Sequence, residues 1–271
     1  MLLFDTHTHF DVPDFDADRA QLAMLAKQNG VEALVLIGIT AERFPDLLRI
    51  HHDLKQLKTA PQSYLAPGLH PIYIEQHLPE HLNNLAQLLQ TETCVAIGEI
   101  GLDTFLQQHK PPEIYQKQRE YFDLQLAMAK QYQKPVLLHI RKAHADVLQQ
   151  LKQHKFQFGG IAHAFSGGVE EAKALIKMGF KIGITGQVTN PQAKKLHQVI
   201  QKIGAEHLVI ETDCPDMTPL CCQISTEKRT RNTPVNLPFV LAGLAKSLNL
   251  SAEALAPILW QNSCQALHLA S

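Results

Sequence analysis

Short apolar, β-rich segments recur along the whole chain, and a segment with helical periodicity separates each from the next. Eight such segments are present: LLFDT (2–6), ALVLIGI (33–39), YLAPGL (64–69), CVAIGEI (94–100), PVLLHI (135–140), GIAHAF (160–165), KIGITG (181–186) and LVIETD (208–213). Continuous apolar runs joined by helical crossovers are typical of parallel strands that are buried on both faces. Eight strands alternating with helices in 271 residues predict an α/β fold, a TIM-type (β/α)8 barrel, regular or distorted.

The connecting segments carry apolar residues at helical spacing. They predict helices over 17–29, 113–133, 169–178 and 190–203, with Gly30 following the first as its C′ residue. An open doubly wound sheet is the alternative architecture, but no GxGxxG turn is present. Because we find no internal repeat, low-complexity run or linker, we expect residues 1–271 to form a single domain.

Charge and cysteine content narrow the class of protein. The formal net charge is −1, so any binding to a polyanion must be local or mediated by metal. The sequence has no basic leader and no membrane-length apolar segment, so we expect a cytoplasmic protein with no membrane partner and no obligate protein partner. Five cysteines without a framework spacing are typical of free thiols in a reducing compartment. The adjacent Cys221 and Cys222 are alternative metal ligands, but they lack a second Cys or His pair at finger spacing.

Two histidines one residue apart follow the first apolar run, in LLFDTHTHFD (2–11). Side chains at i and i+2 of a strand point to the same face, so His7 and His9 converge. Two converging imidazoles make half of a metal site. Chance pairing is the alternative, because the chain contains 15 histidines.

Metal-capable side chains also end most of the other predicted strands. In a barrel, active-site groups lie at the C-terminal ends of the strands. Chance placement is a poor explanation for the set, which comprises His70, Glu99, His139, His163 and Asp213 in addition to the first two histidines.

Four imidazoles and two carboxylates suit a binuclear site, because each ion needs roughly four to six ligands and a carboxylate such as Glu99 can bridge two ions. Two ions about 3.5–4 Å apart bind both the attacking and the leaving oxygen of a phosphodiester. Imidazole ligands favour Zn, Mn, Co or Ni over Mg, although supply also decides which ion is bound, so Zn, Mn and Mg all stay open. The hypothesis assigns His7, His9 and Asp213 to one ion, and His139 and His163 to the other.

Six motifs occur in an order that is similar to one known family: DTHTHFD, GLHP, IGEIGLD, LLHIRKA, HAFSG and ETDCPDM. Together with RNTP (231–234) and LWQNSCQAL (259–267), they resemble the TatD family of metal-dependent hydrolases, especially its YjjV-like branch, within the amidohydrolase superfamily. The resemblance implies a TIM barrel that acts as a divalent-metal-dependent deoxyribonuclease or related phosphodiesterase. It matches the metal-ligand positions to His7, His9, Glu99, His139, His163 and Asp213.

Three departures from related patterns stand out. Phosphotriesterase-like and dihydroorotase-like relatives usually carry a carboxylated lysine on strand four, where this chain has Glu99. Thr104 stands where TatD proteins commonly have Tyr, and NTP (232–234) replaces NEP. The last two changes touch no proposed ligand, and we expect them, with Asn232, to line the substrate cleft.

The two carboxylates are the predicted catalytic residues. Asp213 is a candidate acceptor for a proton from water, and a role as ligand only is the equal alternative. Glu99 is the predicted bridge. Glu211 shares the parity of Asp213, so we expect it to orient ligands without binding the ion itself.

Three further residues are predicted to bind substrate. His70 and Arg141 lie beside strand ends and are candidates for holding phosphate oxygens. Arg141 has the alternative of pairing with Asp146. Ser166 precedes two glycines, where backbone N–H groups bind an anion or the serine simply caps a helix.

The segment after the last strand carries Lys228, Arg229 and Arg231. A small basic patch beside a metal centre suits the end of a short or single-stranded DNA, although three charges on a solvated loop need no function. Aromatic residues are 6% of the chain, so a long stacking platform is not predicted. The alternative is hydrolysis of a small molecule, such as a phosphomonoester, lactone, ester or amide, because fold does not settle function.

Overall fold

The computed structural model of the protein describes residues 1–225 and 229–270. In these residues the strands are β1 (Leu3–Thr8), β2 (Val31–Ile37), β3 (Gln62–Ala66), β4 (Ile97–Asp103), β5 (Val136–Arg141), β6 (Gly160–Ala162), β7 (Phe180–Ile184) and β8 (Leu208–Ile210). The α-helices are α1 (Arg19–Gln28), α2 (Phe44–Gln56), α3 (Pro79–Thr91), α4 (Pro112–Gln131), α5 (His144–Gln153), α6 (Val169–Lys177), α7 (Lys194–Ile203), α8 (Leu237–Leu248) and α9 (Ala252–Ala266).

The strands form a parallel barrel with two interruptions in its ladder. One run of hydrogen-bonded strands has the order β1-β2-β3, and the other has the order β4-β5-β6-β7-β8. At one seam, a bridge between Leu65 and Cys94 and a hydrogen bond from the Gly98 N–H to the Pro67 carbonyl at 3.0 Å join the two runs. At the other seam the Asp213 N–H donates to the His7 carbonyl at 2.9 Å. The predicted TIM-type barrel is confirmed, and its distortion lies at these seams.

The interior of the barrel is apolar at its lower level and closed at the bottom. Inward-facing residues of several strands form one buried cluster, which includes Val35, Leu137 and Val209. Phe4 closes this end, with its ring centroid 5.5 Å from that of Trp260. A second buried cluster lies between the strands and the helices. Only the C-terminal end of the barrel is therefore left to hold a polar site.

All eight strands differ from their predicted bounds by one or more residues, and two of the differences concern residues of the predicted site. The fourth strand was expected to end near Glu99, but β4 continues to Asp103, so Glu99 lies inside the strand. The eighth was expected to reach Asp213, but β8 ends at Ile210. Apolar content sets the predicted bounds, whereas strand pairing sets the observed ones: β4 pairs with β5 as far as Asp103 and Arg141.

One helix begins later than its periodicity predicts. The pattern starts at residue 190, but α7 begins at Lys194. Asn190 has an extended backbone with ψ of 114°, because the following Pro191 disfavours helical geometry in the residue before it. The Gly30 prediction is confirmed, since that residue follows the C-cap of α1 with φ of +88°.

Among residues 1–225 and 229–270, no single helix is long and apolar enough to cross a membrane. The segments Pro234–Leu248 and Ala252–Ala266 reach that length and composition only together, and they are bent by 108°.

Candidate metal centre

The C-terminal ends of the strands bring the six predicted ligands into one cluster. In two chain segments, polar residues continue the inward-facing rows of the apolar interior two positions farther along the chain. In β5, Leu137 is followed at this spacing by His139, and His163 follows Ile161 in the same way beside β6. Because side chains alternate between the two faces of a strand, the apolar layer inside the barrel is followed by a polar layer at its C-terminal end.

The seam between β1 and β8 positions three more of them. In addition to the backbone hydrogen bond from the Asp213 N–H to the His7 carbonyl, the backbone N–H of His9 donates to the Cys214 carbonyl at 2.9 Å. The ring centroids of His7 and His9 are 5.2 Å apart. Asp213 Oδ1 lies 3.7 Å from Nε2 of each of these two histidines. One carboxylate thus faces both imidazoles of the HxH motif.

Glu99 lies at the middle of the cluster with 1% of its surface exposed. Its two carboxylate oxygens face different imidazoles. Oε2 lies 3.0 Å from His7 Nε2, 3.6 Å from His9 Nε2 and 3.3 Å from His70 Nε2, and Oε1 lies 2.6 Å from His139 Nδ1 and 3.8 Å from His163 Nε2. This is the arrangement that a bridging carboxylate requires.

Both carboxylates are held in the anionic form. Burial acts to raise the pKa of the Glu99 carboxyl, but four surrounding imidazoles hold that pKa well below its ordinary value. For Asp213, burial likewise opposes ionisation, and His163, His7 and His9 lower the pKa below its ordinary value. Two buried anions at the base of a cavity provide the negative charge that a divalent cation needs.

The donor atoms fit a divalent metal. Within the described part of the chain, three groups have ligand atoms within 4.8 Å of one another: His7, His9 and Asp213; His70, Glu99 and His139; and His7, His163 and Glu211. His7 Nε2 is buried without a partner in hydrogen-bond geometry among the described residues, although Glu99 Oε2 is 3.0 Å away. A nitrogen without such a partner leaves its lone pair for an ion.

The first of these groups is the set that the sequence assigns to one ion. His139 and His163, which the sequence assigns to the other ion, fall in different groups, and their shared ion stays a prediction. His139 Nδ1 contacts Glu99, and its Nε2 contacts Asp103 Oδ2 at 2.9 Å. Asp103 thereby holds His139 on the side away from Glu99.

Glu211 lies behind His163, fully buried. Its Oε1 is 2.9 Å from His163 Nδ1 and accepts from the Ala164 N–H at 2.7 Å. Gly183 on β7 leaves the space for this carboxylate, because a Cβ there would lie 2.5 Å from Oε1. The geometry suits orientation of the His163 ring, and the same oxygen is also within reach of an ion in the third group.

The centre opens into a cavity of about 890 Å³ at the C-terminal end of the barrel. Its lining includes the carboxylates Glu99 and Asp213 and, at the exposed rim, four cationic side chains (Arg141, Lys194, Lys195 and Arg229) and two further carboxylates (Asp14 and Asp216). Of these, Lys195 donates to the Ser166 carbonyl at 2.9 Å, and Arg229 pairs with Asp216 at 2.9 Å. The rim of the cavity thus carries more cationic than anionic side chains.

Residues 4–268 match the family described as TatD related DNase. The chain belongs to the TatD family. It is 34% identical over 261 residues to the uncharacterized metal-dependent hydrolase YjjV of Escherichia coli (strain K12), which covers 96% of this chain and 95% of that protein. It is 33% identical over 274 residues to the 3'-5' ssDNA/RNA exonuclease TatD of Pantoea sp. (strain At-9b), with 99% and 100% covered. The crystal structure of the Escherichia coli TatD homologue YJJV superposes with a TM-score of 0.88 at 32% identity over 99% of this chain and 98% of that chain.

The protein is therefore a metal-dependent hydrolase of the TatD family, and the predicted resemblance is confirmed. One feature of its centre, the Asp103 contact to His139, escaped the sequence analysis. Asp103 shares strand parity with Glu99, so the spacing that singles out Glu211 beside Asp213 would also have singled out Asp103. Burial acts against ionisation of Asp103, but its hydrogen bond to His139 lowers the pKa to about 2.

His70 lies closer to the centre than a phosphate-binding role at the rim requires. It is 6% exposed, its Nε2 faces Glu99, and its Nδ1 accepts from the Ile72 N–H at 3.0 Å. Burial lowers the pKa of His70 to about 4, so its ring is neutral at pH 7. A neutral imidazole aimed at Glu99 suits a metal ligand better than an anion-binding group.

Arg141 and Ser166 line the cavity, as the substrate-binding prediction requires. The Arg141 guanidinium lies 3.6 Å from the ring centroid of Phe105. It forms no ion pair with Asp146, whose carboxylate instead contacts Tyr115 and Arg119. Ser166 is not a helix cap, since Gly168 is the N-cap residue of α6.

Asn232 does not line the cleft, which corrects the prediction that it binds substrate. Its side chain is fully buried. The amide donates to the Thr212 carbonyl at 2.8 Å and accepts from the Thr233 N–H at 2.9 Å. Asn232 therefore fastens the loop after β8 to the residue that precedes Asp213. Thr104 and the NTP segment are likewise absent from the cavity lining.

We expect Asn232→Ala to lower the free energy of unfolding by about 1–3 kcal/mol, because it leaves the buried Thr212 carbonyl without its donor. Urea unfolding followed by circular dichroism measures the change. Asn83→Ala, at an exposed position of α3, is the matched control and should be nearly neutral. An Asn232→Ala protein of unchanged stability but raised KM for DNA would restore the substrate-binding interpretation.

The remaining sequence features lie apart from the centre. Lys228 is outside the described residues. Arg231 is held by Asp18, with its Nη1 at 3.1 Å from Oδ1, so the basic patch is reduced to Arg229 among the described residues of this segment. The sulfurs of Cys221 and Cys222 are 3.9 Å apart, both thiols are free, and neither belongs to any metal-capable group of residues 1–225 and 229–270.

Proposed function

We propose that the protein is a phosphodiesterase that binds two divalent metal ions and removes nucleotides from an end of short or single-stranded DNA. The observation that carries this proposal is the position of Glu99, whose two oxygens face the His7 side and the His139 side of the centre. A carboxylate shared in this way supports a binuclear site, and binuclear sites suit in-line displacement at phosphorus.

Different residues of the chain bind the ions, accept the proton and bind the phosphate. Glu99 and Asp213 supply anionic ligands, and imidazoles complete the set. When bound, divalent ions supply Lewis acidity and lower the pKa of water. Asp213 lines the cavity at 8% exposure, and its carboxylate accepts the proton of the attacking water. Arg141 binds phosphate oxygens through its planar guanidinium.

The size of the cavity favours a strand end over a long strand. A volume of about 890 Å³ lies within the range of small-ligand pockets, roughly 300–1,000 Å³. The excess of cationic over anionic side chains at the rim matches the phosphates that would lie next to the centre. Relatives named 3'-5' ssDNA/RNA exonuclease support attack from the 3′ end.

The test is incubation of the purified protein with single-stranded DNA labelled at its 5′ end, while Zn²⁺, Mn²⁺ and Mg²⁺ are titrated. We expect metal-dependent shortening in single-nucleotide steps, and we expect a 3′-phosphorothioate linkage to block it. No cleavage by a protein that holds two ions per chain would contradict the proposal. Assays with a phosphomonoester, a lactone, an ester and an amide would then identify the small-molecule hydrolase that a cavity of this volume also fits.

A further inference from the structure

Two buried glutamines of α4 lie directly behind the metal centre. Gln118 and Gln125 are seven positions apart, which places them on the same face of the helix, and each is 1% exposed. Their side chains point toward the ends of β3 and β4. Neither residue belongs to a metal-capable group in the described part of the chain.

Each glutamine binds both backbone groups of one residue. Gln118 Oε1 accepts from the Asp103 N–H at 2.8 Å, and Gln118 Nε2 donates to the Asp103 carbonyl at 3.0 Å. Gln125 repeats the pattern with Leu69, accepting from its N–H at 2.7 Å and donating to its carbonyl at 3.2 Å. A primary amide that uses its donor and its acceptor in this way replaces the peptide group of a neighbouring strand.

The barrel needs this replacement here. β3 ends at Ala66, and the backbone contacts that join its side of the seam to β4 reach only as far as the hydrogen bond from the Gly98 N–H to the Pro67 carbonyl at 3.0 Å. The backbone of Leu69 and one edge of β4 at Asp103 are therefore buried without a strand partner. Buried peptide groups without a hydrogen-bond partner destabilise the fold. The two amides bind the backbone groups that the open seam leaves unpaired.

Leu69 and Asp103, whose backbone groups the two glutamines bind, are directly connected to the metal centre. Leu69 directly precedes His70, whose Nε2 is 3.3 Å from Glu99. Asp103 carries the carboxylate that contacts His139 Nε2 at 2.9 Å. Both residues thus lead to the group formed by His70, Glu99 and His139.

We infer that Gln118 and Gln125 are positioning residues that replace strand pairing at Leu69 and Asp103, where the β3–β4 backbone contacts have ended, and that they set the geometry of the His70–Glu99–His139 ligand group. They touch neither substrate nor ion. The inference rests on the metal-dependent hydrolysis proposed above, but its test measures ion binding separately from activity. Loss of these amides loosens the ligands without removing any of them, and supporting groups of this kind typically contribute about 10- to 100-fold to metal affinity.

The experiment is titration of Co²⁺ into the metal-free, full-length protein, followed by visible absorption. We expect Gln118→Met and Gln125→Met each to weaken Co²⁺ binding about 10- to 100-fold at one of two sites and to change its absorption spectrum. kcat should fall while KM stays within about twofold, since the rim is unaltered.

Gln150→Met is the matched control. Gln150 is a glutamine of α5 with 3% exposure, and its amide donates to the Arg119 carbonyl at 2.9 Å. We expect it to lower the melting temperature as the other two do but to leave the Co²⁺ titration unchanged. If Gln118→Met does not fold, Gln118→Glu against Gln150→Glu makes the same comparison.

Equal Co²⁺ affinity and spectra in wild type, Gln118→Met and Gln125→Met would overturn the inference while leaving the proposed function intact. Equal loss of affinity in Gln150→Met would also overturn it, because the effect would then follow general destabilisation. Absence of Co²⁺ binding in the wild type would overturn both the inference and the proposed function.

Discussion

Asp213→Asn should lower kcat for phosphodiester cleavage by roughly 10²- to 10⁴-fold, the range expected when a positioned general base is removed. The substitution keeps the volume of the side chain and one oxygen that can face an ion, but it removes the charge and the proton acceptor. Single-turnover cleavage of end-labelled single-stranded DNA measures the loss. Asp123→Asn, at an exposed carboxylate of α4, is the matched control and should keep full activity.

The metal content of the same variant separates the two roles of Asp213. Oδ1 of this carboxylate is 3.7 Å from both His7 Nε2 and His9 Nε2, so Asp213→Asn also tests its role as a ligand. Two ions per chain with activity lost would assign proton acceptance to Asp213. One ion per chain would assign it a ligand role. An active Asp213→Asn protein would contradict both assignments.

Glu99→Ala should remove at least one of two ions and abolish cleavage, with a loss in kcat that exceeds about 10³-fold because the same group would serve both metals. The side chain is 1% exposed and faces imidazoles on both of its oxygens. Elemental analysis after dialysis against a metal-buffered solution gives the number of ions bound per chain. Two ions at full occupancy in Glu99→Ala would refute the bridging arrangement.

Glu99 also stabilises protonated histidines in the metal-free protein. Glu99→Ala should therefore change histidine pKa values as well as ion content. Burial acts to lower the pKa of His139, but the carboxylates of Glu99 and Asp103 outweigh it and raise that pKa to about 9. Without Glu99, His139 loses the largest of the charges that raise its pKa, so we expect that pKa to fall. Glu170→Gln, at an exposed glutamate that pairs with Lys173 at 3.0 Å, is the control and should change neither ion content nor rate.

The residues that meet at the centre were predictable because each lies within or shortly after an apolar run that was predicted to be a strand of the barrel. His7 and His9 share a face by spacing alone, and Glu211 shares one with Asp213. The order of the motifs along the chain then places all of them at one end of the barrel. Local periodicity and one topological rule are sufficient for this part of the site.

Other assignments needed contacts between residues that lie far apart in the chain. Asn232 follows the basic loop as a substrate-binding residue would, yet it is buried against the Thr212 carbonyl, 20 positions away. His70 stands at a strand end like a rim residue, yet its ring turns toward Glu99. No spacing within a single segment predicts either outcome, because both depend on how a loop packs across the barrel.

The sequence by itself therefore determined the barrel, the end of the barrel that carries the polar cluster, and the six predicted ligands that meet there. These follow from hydrophobic periodicity and from the common direction of parallel strands. Only the tertiary structure decided which imidazole faces which oxygen of Glu99, and which amides of α4 support them. Those contacts depend on a seam where strand pairing stops, and Gln118 and Gln125 satisfy the backbone groups that the seam leaves unpaired.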